Sequence, residues 1–190
     1  MGTERFSRFI EQMTAAADRF GGDEAKMLDA AEPLLRDLIR NDDWLPDAFS
    51  QPSNDAYRQY LLYCDPKKRF SVVSFVWQPG QKTPVHDHTV WGLVGVMRGA
   101  ELCEEFQGVR KVGEHRLAAG EIDRVSPRIG DVHRVSNAGD VTAVSIHVYG
   151  GDIGAIERHV FDADTGAPRN FVSGYSNADT GPLLRAGDAR

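Results

Sequence analysis

The residues of this chain most able to do chemistry are three histidines in two short segments. His86 and His88 stand in Pro84-Val85-His86-Asp87-His88, and His133 follows far downstream in Gly130-Asp131-Val132-His133. Residues i and i+2 of a strand project from the same face, so an extended segment would aim two imidazoles at one ion. Pro84 disfavours an α conformation at Thr83, and the run from Trp91 to Met97 is rich in strand formers, which makes a strand the better local reading. A metal-binding pair on a helix would want i, i+4 spacing. The polar face of an edge strand also produces His-x-His, so the pair alone proposes a metal without requiring one. Further on, Ser145, His147 and Tyr149 alternate with Ile146 and Val148. On a strand, hydroxyl, imidazole and phenol would share one side as a hydrogen-bonding relay, although a plain barrel strand can produce the same alternation.

The elements that must hold these groups are legible from turns and periodicity. Apolar residues at helical spacing make two stripes: Phe6, Phe9, Ile10 and Met13, then Met27, Leu28, Ala31, Leu34, Leu35, Leu38 and Ile39. Gly21 and Gly22 separate them, Asp23 can cap the second helix, and Asn41 to Asp43 before Pro46 end it. From Tyr57 the signals are those of strands: 57–63, 70–77, 91–98, 100–106, 109–117, 123–125, 133–136 and 142–149. Turns such as Gln78-Pro79-Gly80 and Asn137 to Asp140 lie between them. After Phe161 the composition shifts to Gly, Ser, Asn, Asp and Ala, which reads as an irregular or partly disordered tail. The expected organisation is a helical extension over 1–48, a β-barrel over 49–175 and an irregular tail over 176–190. The helices are expected to pack on the barrel exterior, with a dimer contact as the lesser option.

The histidine segments and the glycines around them form two clusters. The first has Gly80, His86, His88, Gly92 and Gly99; the second has Gly120, Pro127, Gly130, His133 and Asn137. Together they resemble the two motifs of the cupin superfamily, a mainly β fold whose double-stranded β-barrel holds a metal on histidines from both motifs. Gly92 stands where that pattern has a glutamate ligand, which leaves an all-histidine set. With Phe70 to Trp77, Ser126-Pro127 and the Ser145, His147, Tyr149 alternation, about residues 55 to 175 look like the thiol dioxygenases, the cysteine and 3-mercaptopropionate dioxygenase group. The resemblance implies that His86, His88 and His133 bind Fe(II) and that Ser145, His147 and Tyr149 form a triad beside it. The implied reaction adds both atoms of dioxygen to the sulfur of a small thiol, giving a sulfinic acid.

Two departures bear on which thiol. Where the mammalian cysteine-oxidising type has an arginine in the strand before Phe70, this chain has Gln59, and where that type has a crosslinking cysteine it reads Gly92-Leu93. Both match the bacterial branch that prefers 3-mercaptopropionate, in which a downstream arginine takes the carboxylate. Arg158 fits that role and could bind it in bidentate fashion, an exposed salt bridge being its alternative; Arg58 is the weaker candidate. L-Cysteine stands as the nearest alternative substrate. A zinc or manganese cupin of hydrolytic or isomerase type, and a ligand-binding cupin without catalysis, stand further off.

Composition narrows the classes. A chain of 190 residues suits one domain plus a modest extension. Its net charge of −6, spread along the sequence, argues against nucleic acid as a partner. No apolar run is long enough to span a bilayer, and the first residues lack a signal-peptide layout, so a soluble cytoplasmic protein is expected. Two cysteines, Cys64 and Cys103, are too few for a disulfide framework and suit a reducing compartment that also favours ferrous iron. Both are expected to behave as small apolar strand residues, Trp77 and Trp91 as barrel core, and His115 and His159 as surface or turn residues. The expected partners are the small thiol and O2, without nucleic acid or membrane, in a monomer or homodimer.

Overall fold

The computed structural model describes residues 2–185. Two helices come first, α1 (Gly2–Phe20) and α2 (Glu24–Ile39). Asp23 accepts a hydrogen bond from Lys26 N at 3.2 Å and so caps α2 as its sequence suggests. Both apolar stripes are buried, with Leu34 only partly so. The chain leaving α2 is pinned by Trp44, whose indole donates to Leu38 O at 3.0 Å and whose ring stacks on Phe6.

Eleven strands follow: β1 (Arg58–Cys64), β2 (Ser71–Trp77), β3 (Val85–His86), β4 (Gly92–Arg98), β5 (Ala100–Gln107), β6 (Arg110–Ala118), β7 (Ile122–Val125), β8 (His133–Asn137), β9 (Ala143–Tyr149), β10 (Arg158–Phe161) and β11 (Pro168–Phe171). They form two antiparallel sheets, in the orders β1-β2-β9-β4-β7 and β11-β10-β3-β8-β5-β6. The result is a mainly β, double-stranded barrel with the helices packed outside it. The outer face of the first sheet, through Val72, Val76, Leu93, Val144, Ile146 and Val148, shares one apolar core with α1 and α2. Gly95 lets α2 approach that closely, since a Cβ there would stand 3.0 Å from Ile39 Cδ1 and 3.1 Å from Leu35 Cδ2. A second cluster, including Val73, Phe75, Trp77, Val135 and Tyr149, fills the space between the sheets.

Two expectations need correction. The His-x-His pair does not ride on one strand: β3 ends at His86, and His88 lies just beyond it. The segment after Phe161 is not an irregular tail either. β11 pairs with β10, and β10 in turn pairs with β3, placing Val160 opposite His86. The ladder hydrogen bonds come from the backbone, which explains why a Gly/Asn/Asp-rich composition concealed them. Residues 176–185 run along β1, where the Asn177 side chain bonds both N and O of Leu61 and Leu184 N donates to Leu62 O. Residues 186–190 of the expected tail lie outside the described residues. No described helix is long and apolar enough to cross a membrane.

Candidate metal centre

His86 on β3 and His133 on β8 are directly paired residues of neighbouring strands, which sets their imidazoles side by side. His88 is brought to them from the β3–β4 connection by Asp131. One Asp131 oxygen accepts from His88 N at 3.0 Å and from His88 Nδ1 at 2.8 Å, and the other accepts from Thr89 N at 3.0 Å. The turn is tight enough that Thr89, a β-branched residue, is held at φ 60°. Asp131 is two residues before His133, so the same motif that supplies the third histidine anchors the second.

The three rings stand 4.8–4.9 Å apart between centroids, and their candidate ligand atoms lie within 4.8 Å of one another. Each Nδ1 is already engaged, His86 with Pro84 O at 3.1 Å, His88 with Asp131, and His133 with Cys103 Sγ at 3.4 Å. A carbonyl and a carboxylate can only accept, so Nδ1 carries the proton in His86 and His88, and each Nε2 keeps a free lone pair. Burial and the neighbouring imidazole of His88 push His86 down to about 3, and burial with the same neighbours holds His133 well below the ordinary histidine range. Burial would raise the Asp131 carboxyl, but the hydrogen bonds from His88 and the backbone hold it below its usual value. Three clustered imidazoles over a carboxylate-backed support fit a divalent metal.

At Gly92, where the resemblance led a glutamate to be expected, the structure leaves no room for a side chain. A Cβ there would stand 2.7 Å from Tyr149 Cδ1 and 2.9 Å from Val125 Cγ2. The phenol ring occupies the space a side chain at 92 would need, stacking on His88 at 5.3 Å. Tyr149 begins a hydrogen-bonded row: its hydroxyl lies 2.8 Å from His147 Nδ1, and His147 Nε2 lies 2.7 Å from Ser145 Oγ. Burial keeps the phenol far above its usual pKa and the imidazole well below, so both are neutral. The sequence places these three residues on one side of a strand, and β9 holds them so.

All three histidines, His147 and Tyr149 open onto one small cavity, lined also by Tyr57, Gln59, Trp77, Arg158, Phe171 and Ser173. Arg158 and Gln59 therefore line the same cavity as the histidine cluster. Arg158 is buried, with Nη2 donating to Ser173 Oγ at 2.7 Å and Cζ lying 4.6 Å over the Phe171 ring, while Nε has no partner. Its neighbour Glu157 bonds Asn170 instead, and Arg58 turns to Ser53. Gln59 donates its side-chain amide to Gly174 O. Phe171 and Ser173 escaped sequence reasoning because they lie in the Gly/Ser/Asn-rich segment.

The other cautions from the sequence fare unevenly. Trp91 and Trp77 both pack in apolar core clusters as expected, and Trp77 also reaches the cavity wall, its indole donating to Ser145 Oγ at 3.4 Å. His159 is half-exposed and paired with Asp87. His115 lies on β6 rather than in a turn and pairs with Asp123. Cys103 is buried as expected but also touches a metal-site histidine, and burial pushes its thiol well up.

No family model matches this chain. Parts of it are similar to solved structures. One is a conserved protein with a double-stranded β-helix domain from Klebsiella pneumoniae, at 24% identity and TM-score 0.48 over 57% of this chain and 89% of that one. Another is a cupin-like protein from Thermotoga maritima, at 24% identity and TM-score 0.43 over 53% of this chain and 75% of that one. A third is an oxalate decarboxylase from Lactobacillus farciminis, at 17% identity and TM-score 0.45 over 55% of this chain and 32% of that one.

Proposed function

We propose that this protein is an iron(II)-dependent thiol dioxygenase that converts a small thiol carboxylate, preferably 3-mercaptopropionate, to its sulfinic acid. The observation that carries the reading is a single cavity bounded by the three histidines, by His147 and Tyr149 of the hydrogen-bonded row and by a buried arginine with an unpaired N–H. Bound at His86, His88 and His133, iron(II) would supply a redox-active Lewis acid at which a thiolate and dioxygen can combine. Three neutral ligands leave the full 2+ charge of that ion uncompensated, which favours an anionic ligand such as a thiolate.

The chain's own residues do the rest. Arg158 holds the substrate carboxylate: its buried charge lacks an acidic partner at hydrogen-bond distance, and its Nε–H is unpaired. Ser173 and Phe171 fix the guanidinium. Tyr57, Phe75 and Trp77 stack on one another as an aromatic cluster that restricts water at the cavity wall. Tyr149 presents a neutral phenol beside His88, oriented by His147, to move a proton at its Oη. None of the residues lining the cavity is a carboxylate. The ammonium of cysteine would find no counter-charge there, which favours a thiol carboxylate without an amine.

Oxygen uptake and sulfinate formation by iron-loaded protein, measured with 3-mercaptopropionate and with L-cysteine, test the proposal. The expected result is turnover of the first with little of the second. Activity on cysteine alone would reverse the substrate choice, and absence of thiol-dependent oxygen uptake would overturn the reading.

A further inference from the structure

One buried acid lies unused beneath the relay. Glu101 is completely enclosed on β5, and neither of its carboxyl oxygens has a hydrogen-bond partner. It shares the inward face of β5 with Cys103, which reaches His133, so it projects between the sheets toward β9. The polar groups close enough to favour its charged form are the Ser145 hydroxyl and the Trp77 indole N–H, and these two are hydrogen-bonded to each other. A buried carboxyl without partners is costly to keep, and this one abuts the closed end of a row of hydrogen bonds whose other end opens on the cavity.

We propose that Glu101 is the buried terminus of the Ser145–His147–Tyr149 relay, a positioning residue that takes up the proton leaving the substrate thiol and thereby sets the direction of the hydrogen bonds. The identity of the proton donor rests on the dioxygenase reading; the coupling of Glu101 to the relay does not. With Glu101 ionised and the Ser145 hydroxyl turned to it, Ser145 donates to the carboxylate, His147 Nε2–H donates to Ser145 Oγ, and the phenol donates to His147 Nδ1. The Tyr149 oxygen is then a free acceptor. When it takes the proton of the S–H bond, the former phenol proton passes to His147 Nδ1, the Nε2 proton to Ser145 Oγ and the serine proton to Glu101. One S–H bond has broken, one carboxyl O–H bond has formed, and no electron has moved. Every hydrogen bond now runs the other way, and the Tyr149 O–H points into the cavity as a donor. Burial pushes Glu101 up to about 7, so both states are accessible near neutral pH. Of the titratable groups nearest it, Cys103 on its own strand and Tyr149 on β9 are neutral because burial raises them, and His147 on β9 is neutral because burial lowers it.

The test uses the full chain without metal first. Infrared difference spectra should show a protonated-carboxyl stretch that fades through neutral pH in the wild type and is missing in Glu101→Gln. Over the same range the ¹⁵N shifts of His147 should exchange between its two tautomers in the wild type and stay fixed in the variant. In iron-loaded protein, Glu101→Gln should lower kcat at least about tenfold with KM within about twofold, and Glu101→Asp should restore part of it. Identical His147 shifts in wild type and Glu101→Gln at every pH, or unchanged kcat, would overturn the proposal. If Glu101→Gln does not fold, Ser145→Ala serves: the carboxyl stretch should still titrate while the His147 tautomer no longer follows it, and a tautomer exchange that persists overturns the coupling. A wild type that shows the coupled titration yet consumes no oxygen with any thiol sinks the dioxygenase reading and leaves the relay standing.

Discussion

The two faces of β9 are built on different principles. Val144, Ile146 and Val148 look outward into the core shared with the helices, while Ser145, His147 and Tyr149 look inward, and every residue of the strand is buried. The outer face is stabilised by apolar area and close packing, which tolerate exchange of one aliphatic shape for another of similar volume. The inner face owes its order to complete hydrogen bonding, because each polar group there has lost water and depends on one particular neighbour. A single strand thus carries apolar packing on one side and a hydrogen-bonded polar row, with the proposed chemistry, on the other, and substitutions should separate the two.

The inward-facing chemistry should fail first at the metal centre. His133→Ala removes one of three ligands and should eliminate stoichiometric metal binding and lower turnover by at least about a thousandfold, while the circular dichroism of the barrel stays unchanged. Retained metal and turnover would break the assignment of the lumen as the chemical face. Ile146→Ala, on the opposite side of the same strand, should cost about 3 kcal/mol in urea unfolding, since it leaves a cavity against the helices. Turnover per folded molecule should remain within about twofold; a large loss would show that the faces are not separable. Next in size, Arg158→Ala should raise KM for the thiol carboxylate about thirtyfold, roughly 2 kcal/mol, with a smaller change in kcat. A thiol lacking the carboxylate should be indifferent to that substitution, and steady-state kinetics on both substrates decide the point.

How much of this was legible in sequence follows the same division. Strand and helix positions came through because alternation and helical periodicity record burial, and the eight strands read from the sequence all exist. The histidines and the Ser145, His147, Tyr149 row were legible because their spacing matches strand geometry. What stayed hidden depends on backbone and on distant partners. β10 and β11 hold together through ladder bonds that leave no apolar signature, so Phe171 and Ser173 could not be placed on the cavity. Gly92 was legible as a departure from the expected glutamate, but the packing of Tyr149 and Val125 over that glycine was not, since it joins residues distant in sequence. Asp131 was within reach, since it sits inside the His133 motif. Glu101 was also within reach, as it alternates with Cys103 on β5.

β5 repeats the contrast with two carboxyls, and it yields the smallest and most specific prediction. Glu101 faces inward without a partner, whereas Glu104 faces outward and holds Arg134 Nε at 2.6 Å and Lys111 Nζ at 3.1 Å. The Arg134 hydrogen bond, with help from Lys111, brings Glu104 down to about 2, while burial pushes Glu101 up to about 7. The folded state therefore releases the Glu104 proton more readily than the unfolded chain, whose glutamates titrate at about 4.3, and retains the Glu101 proton more tightly. Stability from Glu104 is present above the unfolded value and is lost as pH falls through about 2. For Glu101 the sign reverses: stability is lost as pH rises from the unfolded value through about 7. Because Glu104 is near the surface, Glu104→Gln should cost only about 1–2 kcal/mol at neutral pH, and the difference from wild type should shrink toward zero in acid. Glu101→Gln should instead gain on the wild type as pH rises. Urea unfolding of the three proteins from acid to neutral pH reads both slopes, and parallel curves would mean that the inward and outward carboxyls of β5 do not differ as their surroundings require.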